Sequence, residues 1–152
     1  MDPMLFGLFL LAAGASAATG ILFPPGAWYR ALAKPAWVPP NRAFPVVWTV
    51  LYLLMAWAAA RVAHLPGSGT ALALWAVQMG WNTLWTPVFF GLHRMRAALA
   101  IIAGLWVAVA LCAVAFATLD PLTLIAWLPY LAWVSVAAAL NAAILRLNLD
   151  AP

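Results

Sequence analysis

The chain has 152 residues, 68% of them hydrophobic and only 7% charged, with a net charge of +4 and a mean hydropathy of +1.04. This lies well outside the range of soluble domains, whose apolar share is about half, and it points to one integral membrane domain of all-α class. The positive charge does not call for nucleic acid: the cations fall between apolar spans, where membrane lipid and topology account for them.

Five apolar runs are long enough to cross the hydrocarbon core as helices. They lie near 4–23, 43–65, 70–90, 97–119 and 122–147. Helices satisfy their own backbone groups in lipid, so the expected fold is a bundle of five transmembrane helices over residues 1–152, with a long structured loop between the first two. The first run follows Asp2, has no preceding cation and exceeds a signal-peptide core in length, so it reads as a retained span despite the cleavage-like Ala-Ser-Ala at 15–17.

The first loop is dense in rings, prolines and cations. Pro35, Pro39, Pro40 and Pro45 fix φ and withhold backbone donors, so the connection is stiff and holds its side chains at set positions. Trp48, Tyr52 and Met55 then share one face of the second span. The third carries Gln78, Asn82 and Thr86 at four-residue spacing with Trp85 beside them. Neutral hydrogen-bonding groups at lipid depth point into the bundle, either as glue between helices or as pocket groups. The fourth span holds the single cysteine, Cys112, expected to be a buried thiol. The fifth holds the kink-prone Pro129 and a face of Tyr130, Trp133 and Ala137. Short connections predict spans two to five as successive antiparallel neighbours.

Arg30, Lys34, Arg42, Arg94, Arg96 and Arg146 fall on one side of these spans and only Arg61 on the other. The excess of cations places the first loop and the C-terminus inside and the N-terminus outside. Asp2, Asp120 and Asp150 all lie at span ends or termini, so no carboxylate is left at depth for proton coupling or general acid–base chemistry. His64 and His93 fall on opposite faces, and no metal site is expected. Gly14 with Ala18, and Ala76 with Gly80, make small-xxx-small pairs suited to close helix approach.

Four segments carry a family resemblance: WYRALAKPAWVPP at 28–40, FPVVWTVLYLLM at 44–55, QMGWNTLWTPVFFG at 78–91 and LPYLAWVSVAAALN at 128–141. Occurring in this order, they resemble the tryptophan-rich sensory protein/translocator protein (TspO/MBR) family over almost the whole chain. The resemblance implies a multi-pass, bacterial membrane protein with no obligatory cofactor. It also implies binding of porphyrins, protoporphyrin IX or haem, and of isoquinoline carboxamide and benzodiazepine ligands, in a pocket under the first loop. By motif the pocket residues are Tyr29, Pro40, Trp48, Tyr52, Asn82, Trp133 and Ala137. Trp48 and Asn82 match positions that hydrogen-bond a ligand carbonyl, and Trp48 and Trp133 match tryptophans implicated in light-dependent porphyrin breakdown. The family reading therefore offers a sensory or regulatory binder first, with a porphyrin-degrading enzyme and a porphyrin or lipid transporter as alternatives. A homodimer through the third span is implied too. Arg30 and Lys34 are placed to meet porphyrin propionates at the rim. One departure bears on sterols: Ala142 and Ala143 stand where animal members have the tyrosine of a proposed cholesterol motif.

Overall fold

In the computed structural model, which describes residues 2–149, Asp2 opens the first helix. Its carboxylate accepts the backbone N–H of Met4 (2.8 Å) and Leu5 (3.3 Å), satisfying donors that a helix start leaves bare, while Pro3 occupies the first turn where no N–H is needed. Helix α1 spans Pro3–Leu22. The loop that follows winds into one short helix, α2 (Ala27–Ala31). Pro40 then turns the chain into α3 (Ala43–Val62), its carbonyl accepting the Ala43 N–H at 2.8 Å. Gly67, at φ +83°, makes the left-handed turn into α4 (Ser68–Thr86), a conformation that costs glycine little. A π turn (Pro87–Gly91) extends α4. Helix α5 covers Met95–Leu119, and Asp120 caps a 3₁₀ turn (Pro121–Thr123) that runs into α6 (Leu124–Leu147).

Among the described residues there are thus six α-helices and no strand, against the five helices expected. The extra one is α2, a turn too short to be seen as an apolar period. Four of the long segments, α1, α3, α5 and Pro121–Leu147, are both long and apolar enough to cross a membrane. Helix α4 has 19 residues, but Gln78, Asn82, Thr83 and Thr86 dilute its apolar character.

The packing order also departs from the expected succession. Helices α4, α5 and α6 are successive neighbours, yet α1 lies between α3 and α4, and α6 closes against α3. Small residues permit this. Ala13 of α1 and Ala56, Ala58 and Ala59 of α3 are fully buried, and side chains of that size let backbones approach closely. Around them Met55, Val109, Cys112, Phe116, Trp127, Tyr130 and Val134 form a solid core with no exposed surface.

This solid half lies toward Asp120, and its end is tied by charge. Arg61 pairs with Asp120, and His64 Nε2 stands 3.4 Å from Asp2 Oδ2. The Leu122 N–H, helped by Arg61, holds the Asp120 carboxyl below its ordinary value; the Leu5 and Met4 N–H groups do the same for Asp2. At the opposite end lie Arg30, Lys34, Arg42, Arg94, Arg96 and Arg146, none in an ion pair among the described residues. The half beneath them is hollow.

Candidate ligand cavity beneath the first loop

The hollow begins with a break in α4. Pro87 has no N–H to donate to the Thr83 carbonyl, and the backbone re-forms its ladder one residue longer, with the Leu92 N–H on the Pro87 carbonyl at 2.8 Å. Phe89 stacks on Trp85 (5.1 Å, 17°) and Phe90 meets Tyr29 edge-on at 5.2 Å. Gly91 closes the turn where a Cβ would lie 2.7 Å from Phe23, so the end of α1 can rest against it.

The loop is fastened over this platform at several points. Trp28 stacks on His93 at 4.2 Å. The Asn148 amide makes a paired contact with Ala33, accepting its N–H at 3.0 Å and donating to its carbonyl at 2.9 Å. Tyr29 is buried, which pushes its phenol up, and the Lys34 ammonium sits 4.7 Å over its ring while donating to the Leu32 carbonyl at 2.9 Å.

Below the loop is a cavity of about 670 Å³, within the usual range of small-molecule sites. Its walls come from the last turns of α1, the first of α3, the end of α4 with its π turn, and the final half of α6, with Ile102 and Leu105 of α5 behind. Rings dominate: Trp48 stacks on Tyr52 at 5.5 Å, and Phe44 meets Trp133 edge-on at 5.5 Å. The Trp133 indole N–H is buried without a partner.

Polar groups converge on one side. The Tyr52 hydroxyl donates to Asn82 Oδ1 at 2.9 Å, Asn82 Nδ2 donates to the Tyr130 hydroxyl at 2.8 Å, and that hydroxyl donates to Gln78 Oε1 at 2.9 Å. Higher up, Trp85 Nε1 donates to Asn141 Oδ1 at 3.2 Å. Ser16 brings α1 to this wall by hydrogen-bonding Thr83 of α4.

Of the residues proposed from sequence, Tyr29, Trp48, Tyr52, Asn82, Trp133 and Ala137 all line the cavity. Pro40 does not: it is exposed and serves the start of α3, while the adjacent Asn41 forms the wall. Arg30 and Lys34 line a separate hollow of about 310 Å³ that shares Pro25, Tyr29 and Asn41 with the main one. Tyr130 and Met55, read as parts of aromatic faces, lie behind the wall and are fully buried. Sequence reasoning missed α1 entirely. Its Ser16, Thr19 and Gly20 line the cavity, and the signal for them was the small, hydroxyl-bearing stretch Gly-Ala-Ser-Ala-Ala-Thr-Gly at 14–20.

Among the described residues no His, Cys, Asp or Glu lines the cavity. A tetrapyrrole there would be held by its faces and edges, not through an axial imidazole or thiolate. The arrangement suits a planar, largely apolar guest with one or two polar atoms.

Comparison with known proteins gives the family. The profile of the TspO/MBR family matches residues 6–147. The chain is 51% identical to the tryptophan-rich sensory protein of Cereibacter sphaeroides, over all of this chain and 96% of that one. It is 47% identical to the protein CrtK of Rhodobacter capsulatus, over 97% and 95% of the two chains. With the human translocator protein it shares 34% identity over 80% of this chain and 75% of the other.

Proposed function

From the premise that this chain belongs to the TspO/MBR family, we propose that it is an integral membrane protein that binds a planar tetrapyrrole, protoporphyrin IX or haem, in the cavity beneath the first loop. In this reading α4 crosses the membrane with the other four long helices, its polar groups turned inward and its exposed face of Val77, Gly80, Trp81 and Leu84 left for a second copy. The observation that carries the proposal is the cavity itself: rings from the loop, α3, α4 and α6 around one volume, with a hydrogen-bonded edge at Tyr52 and Asn82. Burial of the guest's faces contributes roughly 25 cal/mol per Å² of apolar area removed from water, and the polar edge orients it.

Titration of the purified protein with protoporphyrin IX, followed by tryptophan quenching, tests this. Saturable quenching is expected for the wild type, with affinity lowered about tenfold in Trp48→Ala, which loses a stacked ring and its contact area. Unsaturable quenching, or equal affinity in both, would remove the cavity as the site. Because Trp48 and Trp133 both line the cavity, a second reading, photo-oxidative breakdown of the bound pigment, is tested on the same samples. Illumination should then bleach the pigment more slowly with Trp133→Phe than with the wild type.

A further inference from the structure

The four side chains Gln78, Tyr130, Asn82 and Tyr52 form an unbroken hydrogen-bond chain from the core to the cavity wall, with links of 2.9, 2.8 and 2.9 Å. Only the last two line the cavity; Gln78 and Tyr130 have no exposed surface. In the arrangement described, every donor points inward: Tyr52 to Asn82, Asn82 to Tyr130, Tyr130 to Gln78. The amide nitrogen at the inner end, Gln78 Nε2, is buried with no partner.

Hydroxyls both donate and accept, and an amide turned over exchanges its donor for its acceptor. The same heavy-atom positions therefore support the opposite polarity, in which Gln78 Nε2 donates to Tyr130, Tyr130 to Asn82 Oδ1, and Asn82 Nδ2 to Tyr52. The Tyr52 O–H is then released toward the cavity. Counted as donor atoms, each polarity leaves one with no protein partner: the Gln78 amide nitrogen in the first, the Tyr52 hydroxyl in the second; the second N–H of each amide in use is spare in both. Unpartnered buried donors are costly and rare, while an under-used carbonyl is tolerated more readily. A guest that brings a hydrogen-bond acceptor to Tyr52 completes the second polarity, in which every donor atom of the chain has at least one partner.

We propose that Gln78, acting through Tyr130 and Asn82, is a positioning residue that sets the hydrogen-bond polarity Tyr52 presents, and that the chain reverses to favour planar guests bearing a carbonyl or carboxylate oxygen. The proposal rests on the cavity being a ligand site, but the hydrogen-bonded chain on which it acts can be probed without a ligand. It makes a counter-intuitive prediction. Replacing Gln78 by leucine removes the acceptor that holds the first polarity, so Tyr130 turns its O–H to Asn82 and Tyr52 is left as a standing donor. A change in the core that touches no guest then strengthens acceptor binding.

The test uses fluorene and 9-fluorenone, planar molecules that differ by one carbonyl, titrated against the full-length protein by tryptophan quenching. In the wild type, 9-fluorenone should bind about fivefold more tightly than fluorene, the worth of one net hydrogen bond. The preference should rise about threefold further in Gln78→Leu and fall to near unity in Tyr52→Phe. An unchanged preference in Gln78→Leu overturns the relay while leaving the cavity as a site. If neither probe binds the wild type, these guests fail for the cavity, and the relay is judged without ligand, from the tyrosine ring ¹³Cζ and asparagine side-chain ¹⁵N resonances. Movement of the Tyr52 signal in Gln78→Leu supports propagation along the chain, and an unmoved signal refutes it. Where Gln78→Leu does not give folded protein, Gln78→Met, which replaces the amide acceptor by a weakly accepting thioether, takes its place with the same outcomes.

Discussion

Asn141 carries no charge and is all but fully buried, yet its one amide joins three helices. From α6 it accepts the Trp85 N–H of α4 at 3.2 Å and donates to the Met95 carbonyl at the start of α5 at 3.1 Å. Removing it takes away both of these part-buried hydrogen bonds, at a net cost of about 0.5–1.5 kcal/mol each. Asn141→Leu should therefore lower the thermal unfolding temperature in detergent clearly, and a melting curve that overlays the wild type would show that water or lipid replaces the lost bonds. At this scale the sequence was readable where a residue is rare for its setting. An asparagine or glutamine among leucines has to face inward, so Asn82 and Gln78 were foreseen. Periodicity puts both on one inward face and the family motif names only Asn82 for the pocket; the bond that holds Gln78 behind the wall runs through Tyr130, which lies 48 positions from Asn82 in the chain. Pro40 lies off the cavity wall for a related reason: its motif position places it in the loop but does not say which way the loop turns.

At the scale of elements, the helix ends are set by local chemistry. The Asp120 carboxylate caps the 3₁₀ turn through the Leu122 N–H at 3.0 Å and pairs with Arg61 at the end of α3, so one side chain ties the turn to α3. Its pKa is lowered from the ordinary 3.8, first by the Leu122 N–H. A group depressed in the folded state contributes stability above its ordinary value and loses it as the pH falls through the lowered one. The wild type should therefore melt progressively earlier on acidification below about pH 4, and Asp120→Asn should show a smaller dependence there. Equal slopes in thermal melts from pH 3 to pH 7 would remove Asp120 from the acid response. The long spans, their Pro and Gly breaks and the Asp120 stop were legible as runs and punctuation. The one-turn α2 and the π turn after Pro87 were not, since neither is long enough to set a hydrophobic period and both are held by contacts outside themselves, Tyr29 on Phe90 and Phe23 on Gly91.

At the scale of the molecule, charge and packing are divided between the two ends. The Asp120 end is solid and its charges are paired; the loop end is hollow and gathers six cations. That excess argues for the loop on the inner face. Cysteines placed at exposed Gly69 and Ala36 report it directly, because Cys112 is buried and should not react. In intact cells a membrane-impermeant maleimide should label Gly69→Cys and spare Ala36→Cys until the cells are broken, and the reverse pattern would invert the topology. The all-helical class, the approximate bounds of the long helices and six of the residues that line the cavity, Tyr29, Trp48, Tyr52, Asn82, Trp133 and Ala137, followed from the chain alone. Hydropathy and side-chain period are local properties, and the tryptophan-rich motifs lie within single spans or the one loop. Tertiary structure alone decided that α1 stands between α3 and α4, that its serine, threonine and glycine help line the cavity, and that Tyr130 and Gln78 extend the polar edge into the core. Those outcomes depend on which small faces let backbones meet and on bonds between distant positions, and neither is written in the order of residues along a helix.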